Sequence, residues 1–420
     1  MLRNLFAGVL SILLILCFIG CNEDDDKNPV EPQFTETQET LVALLDSLPS
    51  KYGVPGISFG MINEDGSTWS YATGYSHLNP LTEMVSDDLL KLGSVSKTFT
   101  ATVILQLIDE EEFELQDDIR PLLPANIAGL IPPCTTDSVL TVHRLLSHRT
   151  GILNYVHSQD FAMSYVMNPH QTFTDEQLLG FVGDTLLFEP GVAYEYSNSN
   201  YIILSVLAEE VSGKTLGELF QERIFDPLDL DNTYYPLADT ELPEGIADGY
   251  YDFGGDGVLN ESDLITYNSP SAAAAAGAIV SSIPDLLKYL PALVNGNLIS
   301  SELLTARKTD YSTFDYEGVH YGYGLGLAHQ DNMAWGHQGG IDGYNSIINL
   351  LDDGMGFIVI VNGQSPLPEW MHTNVANDVY QDVLAALDIT VPETQGSSIM
   401  GARPTDSGYG QGMTMLGYTE

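Results

Sequence analysis

The chain has 420 residues, enough to bury a large core, and its 44% hydrophobic and 10% aromatic content is that of a globular protein rather than a disordered one. Its charge is one-sided: 58 Asp and Glu stand against 14 Lys and Arg, a formal net charge of −44. A surface this negative repels phosphate backbones and anionic headgroups, which excludes nucleic acid as a natural partner and reads as solubility in a salty setting.

At the N-terminus, Arg3 precedes an apolar run over 5–19 that is too short for an ordinary membrane span. Residues 1–20 therefore read as a secretory signal peptide. The run ends in Phe18-Ile19-Gly20-Cys21, which resembles a bacterial lipobox, with Phe18 in place of the usual Leu. That resemblance implies a lipid on Cys21 and a bacterial cell-envelope, extracytoplasmic location, with the anchor as the membrane contact. An uncleaved anchor or plain secretion are the alternatives. Residues 21–36, with an acidic run and then Pro29 and Pro32, read as a solvated, lipidated tether. Cys17 and Cys21 belong to this leader, so Cys134 is alone in the processed domain and counting excludes an intramolecular disulfide there. No Cys/His spacing or His-Glu-x-x-His points to a structural metal, and no cofactor is implied.

The folded domain is expected over 37–389. Leu41, Val42, Leu44, Leu45 and Leu48 repeat at helical spacing, and strands follow at 56–62 and 68–72 around the turn Asn63-Glu64-Asp65-Gly66. Helical patterns then dominate: 98–111, 139–146, 176–182, 201–211 and 216–224. Strands return at 321–328, 333–336, 344–350 and 356–361, and a last helix is expected over 371–387. This order is α+β: a sheet packed with helices and a mostly helical subdomain, about 98–288, inserted in it. Residues 390–420, rich in Gly, Ser and Thr, read as a flexible tail.

Three short segments carry the chemistry. Ser94-Val95-Ser96-Lys97 places Ser and Lys at i and i+3, on one face of a helix start, where the amine can take the hydroxyl proton. About half such a pair is expected by chance, so a capping serine beside a surface lysine stays open. Tyr196-Ser197-Asn198 is the only Tyr-x-Asn in the chain; the tyrosine can move a proton as a phenolate-like base, and Asn198 can hold a substrate amide. A plain helix-capping loop is the alternative. Gly336-His337-Gln338-Gly339-Gly340 lets a ligand approach the backbone; the N–H of Gly340 could join that of Ser94 as an oxyanion hole, and His337 could donate to substrate. A glycine-rich turn with an incidental His is the bland reading.

In order and surroundings these segments resemble the three motifs of the serine β-lactamase/DD-peptidase superfamily, in its class C, DD-peptidase and family VIII esterase branch. Leu145-Leu146-Ser147-His148-Arg149-Thr150-Gly151, Ala276-Gly277-Ala278-Ile279-Val280-Ser281-Ser282 and Tyr323-Gly324-Leu325-Gly326 extend the resemblance over most of 37–387. It implies the β-lactamase/transpeptidase-like fold, with an antiparallel five-stranded sheet flanked by helices and the site between the two parts. It also implies Ser94 as nucleophile, Lys97 and Tyr196 as catalytic proton-transfer partners, and Asn198, His337, Gly339 and Gly340 as substrate-binding. The expected activity is acyl-enzyme hydrolysis of an amide or ester in a small peptide, ester or peptidoglycan-like substrate, DD-carboxypeptidase-like or a D-amino-acid peptidase or esterase. A β-lactamase is the alternative, and a non-catalytic envelope binding protein that retains the fold is the alternative of another class. His337 stands where class C β-lactamases carry Lys, so carboxylate recognition is expected to weaken as pH rises through neutrality.

Two segments imitate other sites. Gly56-Ile57-Ser58-Phe59-Gly60 fits Gly-x-Ser-x-Gly, but it lies in an apolar strand that ends in a hairpin turn rather than a helix. Asp252, Asp256, Asn260 and Asp263 have part of a calcium-loop spacing, with Gly254 where a ligand should stand; a tight acidic turn is the expected reading.

Overall fold

The structure, a computed structural model, describes residues 35–135, 138–309, 312–316, 319–330, 333–364 and 374–390. The expected signal peptide, Cys21 with nearly all of its tether, and the tail beyond residue 390 lie outside the described residues. Among the described residues no helix is long and apolar enough to cross a membrane.

In chain order, helices α1 (Glu36–Leu45) and α2 (Leu48–Tyr52) lead into β1 (Gly56–Ile62), β2 (Thr68–Leu78), β3 (Leu81–Glu83) and β4 (Leu90–Lys91). Then come α3 (Ser96–Asp109), α4 (Ala125–Ala128), α5 (Val142–Leu146), α6 (Gln159–Met167), α7 (Asp175–Leu179), α8 (Asn198–Ser212) and α9 (Leu216–Phe220). Short strands β5 (Tyr250–Tyr251) and β6 (Val280–Ser281) return the chain to α10 (Ile283–Asn295) and α11 (Ser301–Thr309). The last part is β7 (Ser312–Tyr316), β8 (Val319–Tyr323), β9 (Ala328–Gln330), β10 (Ala334–Ile341), β11 (Tyr344–Leu351), β12 (Gly356–Val361), β13 (Gly363–Gln364) and α12 (Val375–Ala386).

The main sheet has nine strands rather than five, in the order β3-β2-β1-β12-β11-β10-β9-β8-β7, with each neighbouring pair antiparallel. The additions are at the edges: β3 at one side and the β7-β8-β9 meander at the other. The expected strand over 321–328 is two strands, because Gly326 takes φ +71° and the chain folds back with Gly324 N–H on Leu327 O.

Alternation along the central strands builds two cores. Ile57, Phe59 and Met61 of β1, with Phe357, Val359 and Val361 of β12, pack against α1 and α12. Ile358 and Ile360 face the other way, into the larger core that contains α10, α3 and α8. Gly60 lets α10 lie close, since a Cβ there would be 2.7 Å from Ile283 Cγ2. Helix α10 runs past residue 288, the expected end of the helical insertion, and packs on the sheet. The helical half, α3 to α9, is tied back to the sheet by Asp342 in the β10–β11 turn, which accepts hydrogen bonds from Tyr165 of α6 and from Asn268 (2.9 Å).

Candidate active site

Between Leu89 and Leu105 every residue is buried except Ser94, which is partly exposed. It lies in a 3-10 turn, Gly93–Val95, that leads directly into α3. Leu92, the residue before the turn, is held through both of its backbone groups. Leu92 N–H donates to Ile279 O (2.8 Å), and Ser346 of β11 donates to Leu92 O (2.6 Å). Gly93 has φ +54°, and a Cβ on it would be 2.8 Å from the backbone of Gly340. A Cβ on Gly339 would be only 2.0 Å from Leu92 O. The glycines of β10 are therefore a place of backbone-to-backbone contact beside Ser94. They are strand, not turn: β10 continues through both of them to Ile341.

Lys97 follows one turn on, fully buried, with Nζ 3.0 Å from Ser94 Oγ and donating to Ala276 O at 2.8 Å. No carboxylate among the described residues pairs with it. Burial holds its amine well below the ordinary lysine range, which favours the uncharged form that can accept a proton. Nζ also lies 4.8 Å from the ring centroid of Tyr196. The Tyr196 hydroxyl is buried, and burial raises it well above an ordinary phenol, opposed by a hydrogen bond with Ser94. Burial therefore favours the neutral phenol for Tyr196, where the sequence reading expected a phenolate-like base.

Asn198 opens α8, its N–H donating to Asn154 Oδ1 (3.2 Å), and its side chain is partly exposed. Beneath it His148 is fully buried among Tyr194, Tyr196, Tyr201 and Tyr323.

His337 departs from expectation. Its Nδ1 lies against the carbonyl of Gln338, which can only accept, so Nδ1 carries the hydrogen. Nε2 is then the acceptor for the Tyr323 hydroxyl at 3.0 Å. Both ring nitrogens are spent inside the protein and the side chain is 5% exposed, so in this state it offers substrate no donor. Burial above all pushes its pKa down to about 3. A histidine in water titrates near neutrality; this one stays neutral throughout that range, which removes the expected loss of a charge there.

Three neighbours carry no role in the sequence reading. Tyr323 and His148 lie in segments quoted only as echoes of the superfamily. Arg307, on α11, is 1% exposed and donates to Thr102 Oγ1, Thr98 O and Gly326 O, with no carboxylate among the described residues paired with it. No periodic pattern marks it as close to the site; the fold alone puts it there.

The imitations resolve as turns and core. Ser58 is buried in mid-strand between Ala72 and Ile360, and no helix follows β1. Asp252 accepts from the N–H groups of Gly255 (2.6 Å) and Gly257 (2.8 Å), and Asp263 from that of Asn260 (2.9 Å). These carboxylates hold their own loop, and among the described residues no group of three or more His, Cys, Asp or Glu is placed to hold a metal.

An amine that can take the proton of the hydroxyl beside it is what an acyl-enzyme mechanism requires. On this fold the pairing is what an active-site-serine hydrolase would need. The chain belongs to the Beta-lactamase family, whose model matches residues 39–381. It is 29% identical over 282 residues to "Unguisins hydrolase ungD" of Aspergillus violaceofuscus, covering 66% of this chain and 47% of that one. Across the first curated relatives the chain spans between 47% and 63% of their length. Among solved structures it is similar to a D-amino acid amidase from Ochrobactrum anthropi SV3, with TM-score 0.71, 25% identity, and coverage of 84% of this chain and 99% of that one. A D-stereospecific amidohydrolase from Streptomyces sp. gives TM-score 0.66 and 28% identity over 78% of this chain and 94% of that one.

Proposed function

We propose that this chain hydrolyses amide or ester bonds of small D-amino-acid-containing substrates by acyl transfer through Ser94. The observation that carries the reading is the 3.0 Å contact between Ser94 Oγ and a buried Lys97 that has no carboxylate partner among the described residues. Lys97 takes the proton from Ser94 Oγ as that oxygen attacks the carbonyl carbon. The backbone N–H groups of Ser94 and Gly340 receive the oxyanion. Tyr196 gives its hydroxyl proton to the departing nitrogen or oxygen, and the Lys97 ammonium restores it. In deacylation a water loses its proton to the same pair, attacks the ester, and Ser94 leaves with a proton. Asn198 and the β10 edge at Gly339–Gly340 are the substrate-binding groups. His337 supports that edge as a neutral side chain.

The names of the similar structures, an amidase and an amidohydrolase, favour amide substrates with a D-configured acyl part. A neutral His337 supplies no cation for a lactam's carboxylate, which weighs against β-lactamase activity. The leader sequence supports secretion and lipidation at Cys21, placing the enzyme outside the cytoplasm on a membrane. Labelling with a fluorescent fluorophosphonate tests the chemistry: the wild type should label and turn over D-amino acid amides or esters, and Ser94→Ala should do neither. Labelling that persists in Ser94→Ala sinks the reading, and turnover of nitrocefin would move it to a β-lactamase. An intact fold without turnover of any amide, ester or lactam would favour a binding protein. Cys21→Ser should release the protein from the membrane fraction.

A further inference from the structure

We infer that His148 is a positioning residue for Tyr196, gripping the chain on both sides of the tyrosine and supporting its ring. The inference rests on the proposed role of Tyr196 in proton transfer.

Two hydrogen bonds bracket the tyrosine. The carbonyl of His148 accepts the N–H of Glu195 (3.0 Å), and its Nδ1 accepts the N–H of Ser197 (3.2 Å). The residues before and after Tyr196 therefore both end on His148. Between them the two rings lie with centroids 4.3 Å apart and planes 39° apart. Rotation of Tyr196 about its backbone would have to break one of these bonds or displace a buried ring.

The tautomer is fixed from a second layer. Thr150 accepts the N–H of Ile152 (3.1 Å) on its hydroxyl oxygen and gives its own hydrogen to Asn200 Oδ1 (2.7 Å). That turns Asn200 Nδ2 toward His148 Nδ1, at 3.1 Å. Both neighbours of Nδ1 are donors, so the ring hydrogen sits on Nε2.

This arrangement is expensive as mere packing. His148 has φ +55°, in the left-handed region that few non-glycine residues enter, although His does so more often than most. Its Nε2 is buried with no hydrogen-bond partner among the described residues. An asparagine would suit this backbone better, and an apolar side chain would leave no orphaned N–H. What neither supplies is an Nδ1-type acceptor together with a ring against Tyr196.

The test uses His148→Asn, which keeps an acceptor and tolerates the backbone but loses the ring, and His148→Phe, which keeps a ring and loses the acceptor. Each should lower kcat by roughly ten- to a hundredfold with KM changed less than threefold, at unchanged fluorophosphonate-reactive Ser94 content. In a Tyr196→Phe background the same His148 substitutions should add less than a factor of about three, because the group they position has gone. Wild-type kcat in both single variants overturns the inference. So does a His148 effect that multiplies fully onto that of Tyr196→Phe, the signature of a purely structural role. If Tyr196→Phe itself costs nothing while Ser94 still labels, the assigned role of Tyr196 is wrong and this inference falls with it. Thermal melts keep the result readable: a variant that melts early is compared well below its transition, and the background comparison remains valid there.

Discussion

Tyr323 donates its hydroxyl hydrogen to Nε2 of His337 across 3.0 Å, and Nδ1 of the same ring is committed to Gln338 O. A histidine at the substrate edge of an enzyme is usually the first suspect for a pH-dependent step. Here it is locked into one neutral tautomer. With its folded pKa pushed down to about 3, it keeps one charge state between pH 5 and 8. The kcat/KM profile of His337→Gln should therefore have the same shape as the wild type over that range, at a lower level. Stability carries the opposite signature. The unfolded histidine binds a proton below about pH 6.5 and the folded one does not, so this contribution is lost as pH falls below about 6.5. Thermal melts at pH 4.5 and 7.5 should show a smaller acid loss in His337→Gln than in the wild type.

Lys97→Met should separate chemistry from stability. The amine is fully buried, held by burial well below the ordinary lysine range, and bonded to a single carbonyl and Ser94. A methionine fills a similar volume without burying an ionisable group. Activity should fall by at least about a thousandfold, while the melting temperature at pH 7 stays level or rises. A large drop in melting temperature would show that the amine has a structural task.

The two glycines of β10 make contrasting predictions. Gly339→Ala puts a Cβ 2.0 Å from Leu92 O, a backbone atom that cannot yield without moving Ser94's turn. We expect a loss of about 2–3 kcal/mol in stability and most of the activity. Gly340→Ala meets only side-chain tips, Asn345 Nδ2 at 3.3 Å and Gln364 Nε2 at 3.9 Å, and should fold normally. Denaturant melts of the two variants, with fluorophosphonate labelling, check both.

Away from the site, Asp175 at the start of α7 is held up to about 7, chiefly by burial and then by Glu209 on α8, against a hydrogen bond from Ser205. A folded pKa above the unfolded value favours the folded state most at low pH, and that advantage is lost as pH rises from about 4 through 7. Asp175→Asn should therefore raise the melting temperature by several degrees at pH 8 and leave it nearly unchanged at pH 4. Equal shifts at both pH values would contradict the assignment.

Much of the scaffold was legible because its central strands are uninterrupted apolar runs: 56–62 and 356–361 were read to the residue. Ser94, Lys97 and Tyr196 were legible by order and spacing, and the fold brings them together. What escaped has physical causes. Strand β10 looked like a short strand running into glycines, since nothing local says that those glycines face Leu92 and Gly93. Helix α11 and strand β7 have weak apolar patterns, so Arg307 went unread. His148 and Tyr323 were visible as letters, but their work consists of contacts across 49 and 14 residues of chain, to Ser197 and His337. The misassigned behaviour of His337 is of the same kind: a residue's titration belongs to its burial, and burial is not written in its neighbours in sequence.

The meeting of Gly93 with Gly340 sets a boundary on how this protein can change. Two main chains touch there: a Cβ on Gly93 would meet the Gly340 backbone at 2.8 Å, and one on the neighbouring Gly339 would meet Leu92 O at 2.0 Å. Variation cannot widen or narrow that seam by trading one residue for a slightly larger one. New substrate preferences must therefore arise at the rim of the cleft, where side chains meet solvent, while the distance between the serine turn and the strand is inherited unchanged.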